Sequence, residues 1–161
     1  MRRQWGDFML DDPRMTNSTF IEGYATDGSL RYAPYTNTPR VSHAHGWSTG
    51  PTAALTFYAA GLQLTGPAGA RWRFAPQSGD LREVDAGFET RLGVFSTTFR
   101  RRAQSQAGFE GLSLRTPNGT VGDVELARTK GSLLSMDGQR VKLVDGGVKG
   151  LKGGVWHLQS E

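Results

Sequence analysis

The sequence predicts a mostly β protein: an antiparallel β-sandwich of jelly-roll type, preceded by one or two helices. Three observations carry this. Of 161 residues, 22 are glycine and only 37% are hydrophobic, a composition that favours many turns over long helices. Downstream of Gly66 the apolar residues recur with period two rather than 3.6. In the same region, turn signals separate short strand-like runs at the spacing of a sandwich.

The elements follow in order. Residues 2–11 suit a short helix with Trp5, Phe8 and Met9 on one face, ended by Pro13. Residues 16–47 are rich in Thr, Asn, Gly, Pro and Tyr and lack periodicity. An irregular stretch of this length in a compact domain is usually functional or disordered, and its aromatic content argues against disorder. Residues 51–60 predict a helix, with Ser48 or Thr49 as cap, Pro51 in the first turn and Gly61 at C′. Leu55, Tyr58 and Leu62 would share a face that packs on another helix.

The strands come next. Arg71-Trp72-Arg73-Phe74 alternates, as does the stretch around Leu92, Val94 and Phe99. Leu112, Leu114, Val124 and Leu126 flank Pro117-Asn118-Gly119-Thr120, which reads as a hairpin. Asp137-Gly138 between Leu133-Leu134 and Val141-Lys142-Leu143 reads as a second one, and Val155-Trp156-His157-Leu158 as a closing strand. The boundary falls near residues 62–70, giving a first part over 1–65 and a sandwich over 66–161.

Composition excludes several functions. The chain contains no cysteine, which removes disulfides, zinc–thiolate sites and thiol nucleophiles. The net charge is +4, and 15 of 19 basic residues are arginine, but they are scattered apart from Arg100, Arg101 and Arg102. Nucleic-acid binding requires a patch or a motif, so no nucleic-acid partner is expected. No apolar run approaches the roughly 20 residues of a membrane span, and no membrane partner is expected. The N-terminus lacks the apolar core and cleavage site of a signal peptide. Asn17 and Asn118 begin glycosylation-acceptor triplets, which matter only in a secreted chain.

The chemistry gathers in residues 19–51. This stretch holds Glu22, two of three histidines (His43 and His45), three of four tyrosines (Tyr24, Tyr32 and Tyr35) and Trp47. A carboxylate, imidazoles and flat rings are the equipment of a sugar-cleaving pocket. Glycoside hydrolysis needs two carboxyl groups, about 6.5–9.5 Å apart for inversion or about 5–5.5 Å for retention. Glu22 supplies one. Asp27 is near in sequence, but Asp27-Gly28-Ser29 reads as a turn whose aspartate bonds its own backbone. The alternative for Glu22 is an ion pair with Arg31 or Arg40. The His-x-His pair with Glu22 could provide three legs of a metal site. That pattern lacks a complete ligand set, and neither metal nor cofactor is expected. In extended backbone His43 and His45 point the same way, ready to bond a hydroxyl or a water. Trp47, Trp5, Tyr24, Tyr32 and Tyr35 divide between sugar stacking and core packing.

Thr19-Phe20-Ile21-Glu22-Gly23-Tyr24, Ser42-His43-Ala44-His45-Gly46-Trp47-Ser48 and the helix from Pro51 resemble the end of the catalytic domain of α-L-rhamnosidases, nearest to the fungal branch. The resemblance spans residues 3–128, with the tail matched loosely. In that family a Thr-(x)-(x)-Glu element closes an (α/α)6 barrel, a Ser-x-x-His element follows, and a last helix leads into an antiparallel β-sandwich. The resemblance implies that residues 1–65 are the C-terminal remnant of such a barrel. It implies Glu22 as general base of an inverting hydrolysis of terminal α-L-rhamnose. Ser42 to His45 fits the second element, which makes His45 a better match than His43 to the pocket histidine. By residue type, His43, Trp47 and Tyr24 are expected as further substrate contacts. The implied partner is a rhamnose-containing glycan or glycoside.

The chain departs from the family in one large respect. The general acid, an acidic cluster and a sugar-shaping tryptophan belong to earlier barrel hairpins, which this sequence does not include. The chain is therefore expected to be inactive alone, with Glu22 solvated in an unclosed site, and the missing barrel half is a candidate partner. The alternative function is a carbohydrate-binding or structural sandwich module. Complete family members are often secreted; no compartment follows from this chain.

Overall fold

The computed structural model describes residues 2–17, 19–30, 41–102, 108–127 and 129–160. It divides into two compact units, Met1–Ala53 and Ala54–Glu161.

The first unit opens with a π-helical segment, Arg2–Asp11. The segment ends where expected, just before Pro13. Asp12 secures the exit: it accepts from the Arg14 backbone N–H at 2.9 Å and pairs with the Arg14 guanidinium at 2.6 Å. The predicted Phe8 side chain lies outside the described residues, whereas Trp5 and Met9 are both half-buried.

The predicted second helix is present but begins earlier. A 3-10 turn, Gly46–Thr49, leads into an α-helical turn, Gly50–Ala54, and then a π-helical turn, Leu55–Ala59. Ser48 and Thr49 thus sit inside the first turn, and His45 occupies the cap position without a side-chain cap bond. The Thr49 hydroxyl instead donates to the Gly46 carbonyl at 2.8 Å. Gly61 adopts φ +85°, the left-handed geometry expected at C′. The three residues expected to share a helix face do not lie on one helix. Leu62 lies beyond the helix in a strand, and Tyr58 is exposed. Phe57 packs edge-on against Phe88 of the sheet, with ring centroids 6.1 Å apart.

The second unit carries eight strands: β1 (Leu62–Leu64), β2 (Arg71–Phe74), β3 (Glu83–Thr90), β4 (Gly93–Arg101), β5 (Phe109–Glu125), β6 (Gly131–Ser135), β7 (Arg140–Lys142) and β8 (Gly147–Ser160). Strands dominate, as predicted, and the layers share two long strands. The N-terminal half of β5 pairs with β4 and with the C-terminal half of β8; β3 and the β6–β7 hairpin extend this layer on either side. The C-terminal half of β5 pairs with β2 and with the start of β8, and β1 completes the second layer. All pairs are antiparallel except β2–β5.

A straight 17-residue strand would run about 56 Å at about 3.3 Å per residue. That exceeds a domain of this size, so β5 must bend. It bends at Pro117–Thr120, where the register against β8 shifts. The predicted hairpin is therefore absent: Gly119 does take φ +81°, but the segment is a bulge within one continuous strand. Turn-forming residues bend the chain without reversing it because β8 pairs with both flanks. The Thr120 hydroxyl donates to the Pro117 carbonyl at 2.6 Å and accepts from the Trp72 indole N–H at 3.0 Å, which satisfies the buried indole. β8 passes so close that a Cβ on Gly153 would lie 1.8 Å from the Pro117 carbonyl oxygen.

The core lies between the layers. Trp72 and Phe74 point into it, as their alternation predicts, together with Phe95, Phe99, Leu114, Leu133 and Trp156, all nearly inaccessible. Phe88 stacks on Phe95, and Phe99 meets Phe109 edge-on. On β4 the inward set is Phe95, Thr97 and Phe99; Leu92 and Val94 face solvent, so that part of the predicted alternation is offset by one. The Asp137-Gly138 hairpin between β6 and β7 forms as read, with Gly138 at φ +87°. The arginine cluster disperses. Arg100 pairs with Glu83 at 2.9 Å, Arg101 lies over the Phe109 ring at 4.6 Å, and Arg102 donates to the Ser160 hydroxyl at 3.3 Å. Burial pushes the Arg101 guanidinium pKa down, and its Nε–H donates to the Ser78 hydroxyl at 3.1 Å.

Gly153→Ala should force the bulge and β8 apart. Overpacking of this kind costs about 1–3 kcal/mol, read as a fall in thermal midpoint of roughly 4–8 °C per kcal/mol for a domain of about this size. A second outcome concerns Asp12. Its carboxyl is held at about 2, first by the Arg14 side-chain hydrogen bond and then by the Arg14 N–H. Because the folded value is depressed, the stabilisation is present above the ordinary carboxylate range and is lost as pH falls toward 2. NMR titration should find Asp12 at about 2 and, in Arg14→Ala, higher.

Candidate functional site

Glu22 and His45 sit on two irregular strands of chain, residues 19–24 and 41–45, clasped by backbone hydrogen bonds. The Glu22 N–H donates to the Ser42 carbonyl at 2.8 Å, and the His45 N–H to the Phe20 carbonyl at 2.8 Å. The Thr19 hydroxyl donates to the His43 carbonyl at 2.5 Å, and Thr16 contributes a further hydroxyl contact to Thr19. Residues some twenty positions apart are thus fixed side by side without regular sheet.

The clasp also fixes the carboxylate. The Ser42 N–H donates to Glu22 Oε2 at 3.0 Å, and the same oxygen lies 4.0 Å from His45 Nδ1. That separation is too long for a hydrogen bond but within reach of an ion pair when the imidazole is protonated. The Glu22 side chain is only 15% exposed and that of His45 31%. Glu22 is therefore largely covered, not solvated as expected. Ile21 is buried beside it and anchors the segment.

Glu22 lines a cleft of about 180 Å³ together with Trp5, Met9, Phe20, Tyr24 and Pro51. Small-molecule pockets usually span about 300–1,000 Å³, so this one is small. Among the described residues of its wall, Glu22 is the one carboxylate. Asp27 takes the turn role, its Oδ1 accepting from the Ser29 N–H at 2.8 Å, and this bond lowers its pKa. The structure brings together Glu22, Tyr24 and Trp5 in the cleft, with His45 against Glu22. His43 is half-buried and joins the clasp through its carbonyl. Trp47 does not line the cleft and is 93% exposed. Tyr32, Tyr35, Arg31 and Arg40, named as stacking faces or ion-pair partners, lie outside the described residues.

Sequence reasoning missed the wall residues Met9, Met15 and Phe20, and the hydroxyls of Thr16 and Thr19 as fasteners. The only available signal was the apolar pair Phe20-Ile21 directly before Glu22. Among the described residues, no three His, Asp or Glu side chains are spaced to hold a metal ion, and no helix is long and apolar enough to cross a membrane.

Ile21→Ala should loosen the clasp at a cost of roughly 2–5 kcal/mol. Trp47→Ala should change stability by no more than about 0.5 kcal/mol, because its ring makes little buried contact. Thermal unfolding of the two variants separates these outcomes.

No protein-family model matches the chain, and no curated protein matches it. Solved structures do. An α-L-rhamnosidase from Streptomyces avermitilis, solved with L-rhamnose, aligns over 83% of this chain and 12% of its own, with TM-score 0.59 and 21% identity. The α-L-rhamnosidase from Dictyoglumus thermophilum aligns over 73% of this chain and 14% of its own, with TM-score 0.56 and 17% identity. The chain thus spans a small part of the length of the proteins it matches. Its fold is that of a segment of α-L-rhamnosidases, matched across most of the residues present.

Proposed function

We propose that this chain is the C-terminal part of an inverting α-L-rhamnosidase-like glycoside hydrolase acting on terminal α-L-rhamnose, with residues 1–65 the end of its (α/α)6 catalytic barrel and 66–161 its β domain. The observation that carries the proposal is the Glu22 carboxylate, held by the Ser42 N–H and covered beside His45, within a fold shared with rhamnosidases. A positioned carboxylate within reach of a water is what a general base requires. In an inverting reaction Glu22 takes a proton from that water as its oxygen attacks the anomeric carbon. A general acid on the opposite side protonates the departing oxygen. His45 lines the sugar site and stands close enough to Glu22 to restrict the carboxylate, with Tyr24 in the cleft and His43 and Trp47 as outer contacts.

The cleft offers no second carboxylate among its described residues; in this reading the general acid belongs to the barrel portion with which the chain would combine. An acid and a base each contribute about 10²–10⁴-fold. The purified chain should therefore turn over an aryl α-L-rhamnoside at the background rate, indistinguishable from its Glu22→Gln variant. Robust turnover that Glu22→Gln abolishes would overturn the inactivity while supporting the general base. Robust turnover unaffected by Glu22→Gln would overturn the assignment of Glu22.

A further inference from the structure

The second unit has a larger concavity than the Glu22 cleft, and nothing above assigns it a role. It is an open groove of about 840 Å³ on the outer face of β3, β4, β5 and β8. The registers align Asp85 with Thr98, Thr98 with Ser113, and Ser113 with His157, so these four side chains cross the four strands in one row. Beside the row, Arg100 reaches across to Glu83 at 2.9 Å.

The floor of the groove is Gly111. Its φ is not in the left-handed region, and a Cβ built there meets nothing within 4 Å. Neither a left-handed φ nor a collision requires glycine here, although Gly111 stands at the register shift that leaves Glu110 unpaired between the Arg100 and Arg101 pairings. A glycine inside a strand costs conformational entropy and removes packing, and it marks a bulge, as beside Gly111, or the close approach of a ligand. Gly153 is the opposite case, since there a Cβ collides with the neighbouring strand.

The lining defines the ligand. The row itself carries no aromatic or large aliphatic side chain, and the apolar lining residues Val84 and Leu158 are half-buried beside it. Glu83, Asp85 and Glu110 outnumber Arg100 as fixed charges, which makes the groove net acidic although the whole chain is net basic. Anionic ligands are repelled. Carboxylate acceptors, a guanidinium donor, two hydroxyls that both donate and accept, and an imidazole together match a ligand carrying many hydroxyls. We propose that this groove binds a neutral oligosaccharide, with the Asp85–Thr98–Ser113–His157 row bonding its hydroxyls and Gly111 admitting a sugar ring close to the sheet. The site is separate from Glu22 and does not depend on Glu22 having a catalytic role.

The test is an NMR titration of the full chain with a neutral rhamnose-containing trisaccharide, beside a sulfated oligosaccharide and spermine. The expected result is saturable shifts at Thr98, Gly111, Ser113 and His157 with the neutral sugar, and none there with the sulfated one. A Cβ at Gly111 meets nothing within 4 Å and valine suits a strand, so Gly111→Val should retain or raise the thermal midpoint while weakening binding at least tenfold. Asp85→Asn should weaken binding severalfold with a native spectrum. The proposal is overturned if the neutral sugar causes no shifts in the groove, if Gly111→Val binds as well as the parent, or if spermine or the sulfated sugar binds there more tightly. These outcomes are read without any turnover, so they are distinct from failure of the rhamnosidase reading.

Discussion

The β domain depends on one close approach: β8 crossing the bulge of β5 where Gly153 faces Pro117. Both long strands change layers there, and a side chain at Gly153 would wedge them apart. The bulge is fastened by its own chemistry, since Thr120 spans to the Pro117 carbonyl and receives the Trp72 indole N–H. That indole belongs to β2, so the same few atoms also attach the β1–β2 hairpin to β5. Gly122 contributes similarly, because a Cβ there would occupy the space of the Trp72 ring. With the bend in place, Phe74 and Trp72 from one layer meet Phe95, Phe99 and Leu114 from the other in a single core. The outer groove is a consequence as well, for it lies on the half of β5 that pairs with β4 and the C-terminal part of β8.

The first unit solves a different problem, which is to hold Glu22 and His45 side by side without regular secondary structure. It does so with paired backbone bonds between 20–22 and 42–45, reinforced by threonine hydroxyls. The result is a carboxylate that is covered and oriented even though its cleft is small. Covering an ionisable group requires polar partners. The Ser42 N–H and the nearby His45 ring serve Glu22 in that way, and both come from the element that lies opposite it in the clasp.

Much of the fold was legible in the sequence because local patterns governed it. Trp72 and Phe74 alternate with two arginines and point inward; Asp137-Gly138 makes the β6–β7 hairpin; Gly61 ends the second helix with positive φ. Asp27 was readable as a turn residue for the same reason. The failures occur where a distant partner outweighs local composition. Pro117-Asn118-Gly119-Thr120 has the residues of a reversing turn, yet β8 runs along both flanks and holds them in one strand. Leu62 continues the spacing of the helix, yet it pairs with Phe74 in the sheet. Glu22 and His45 could be chosen by residue type and by family resemblance. Their 4.0 Å approach depends on backbone bonds across some twenty residues, and Trp47, adjacent in sequence, turns out to face solvent.

The central claim is that Glu22, Tyr24 and His45 form part of a sugar site. Titrating the full chain with free L-rhamnose while following the side-chain NMR signals of these three residues tests it most directly. The account predicts weak, saturable shifts centred on them, with a Kd on the order of 1 mM or weaker, as befits a small and partial pocket. The absence of any response at Glu22, Tyr24 and His45, with shifts confined to the β domain or missing altogether, would contradict it.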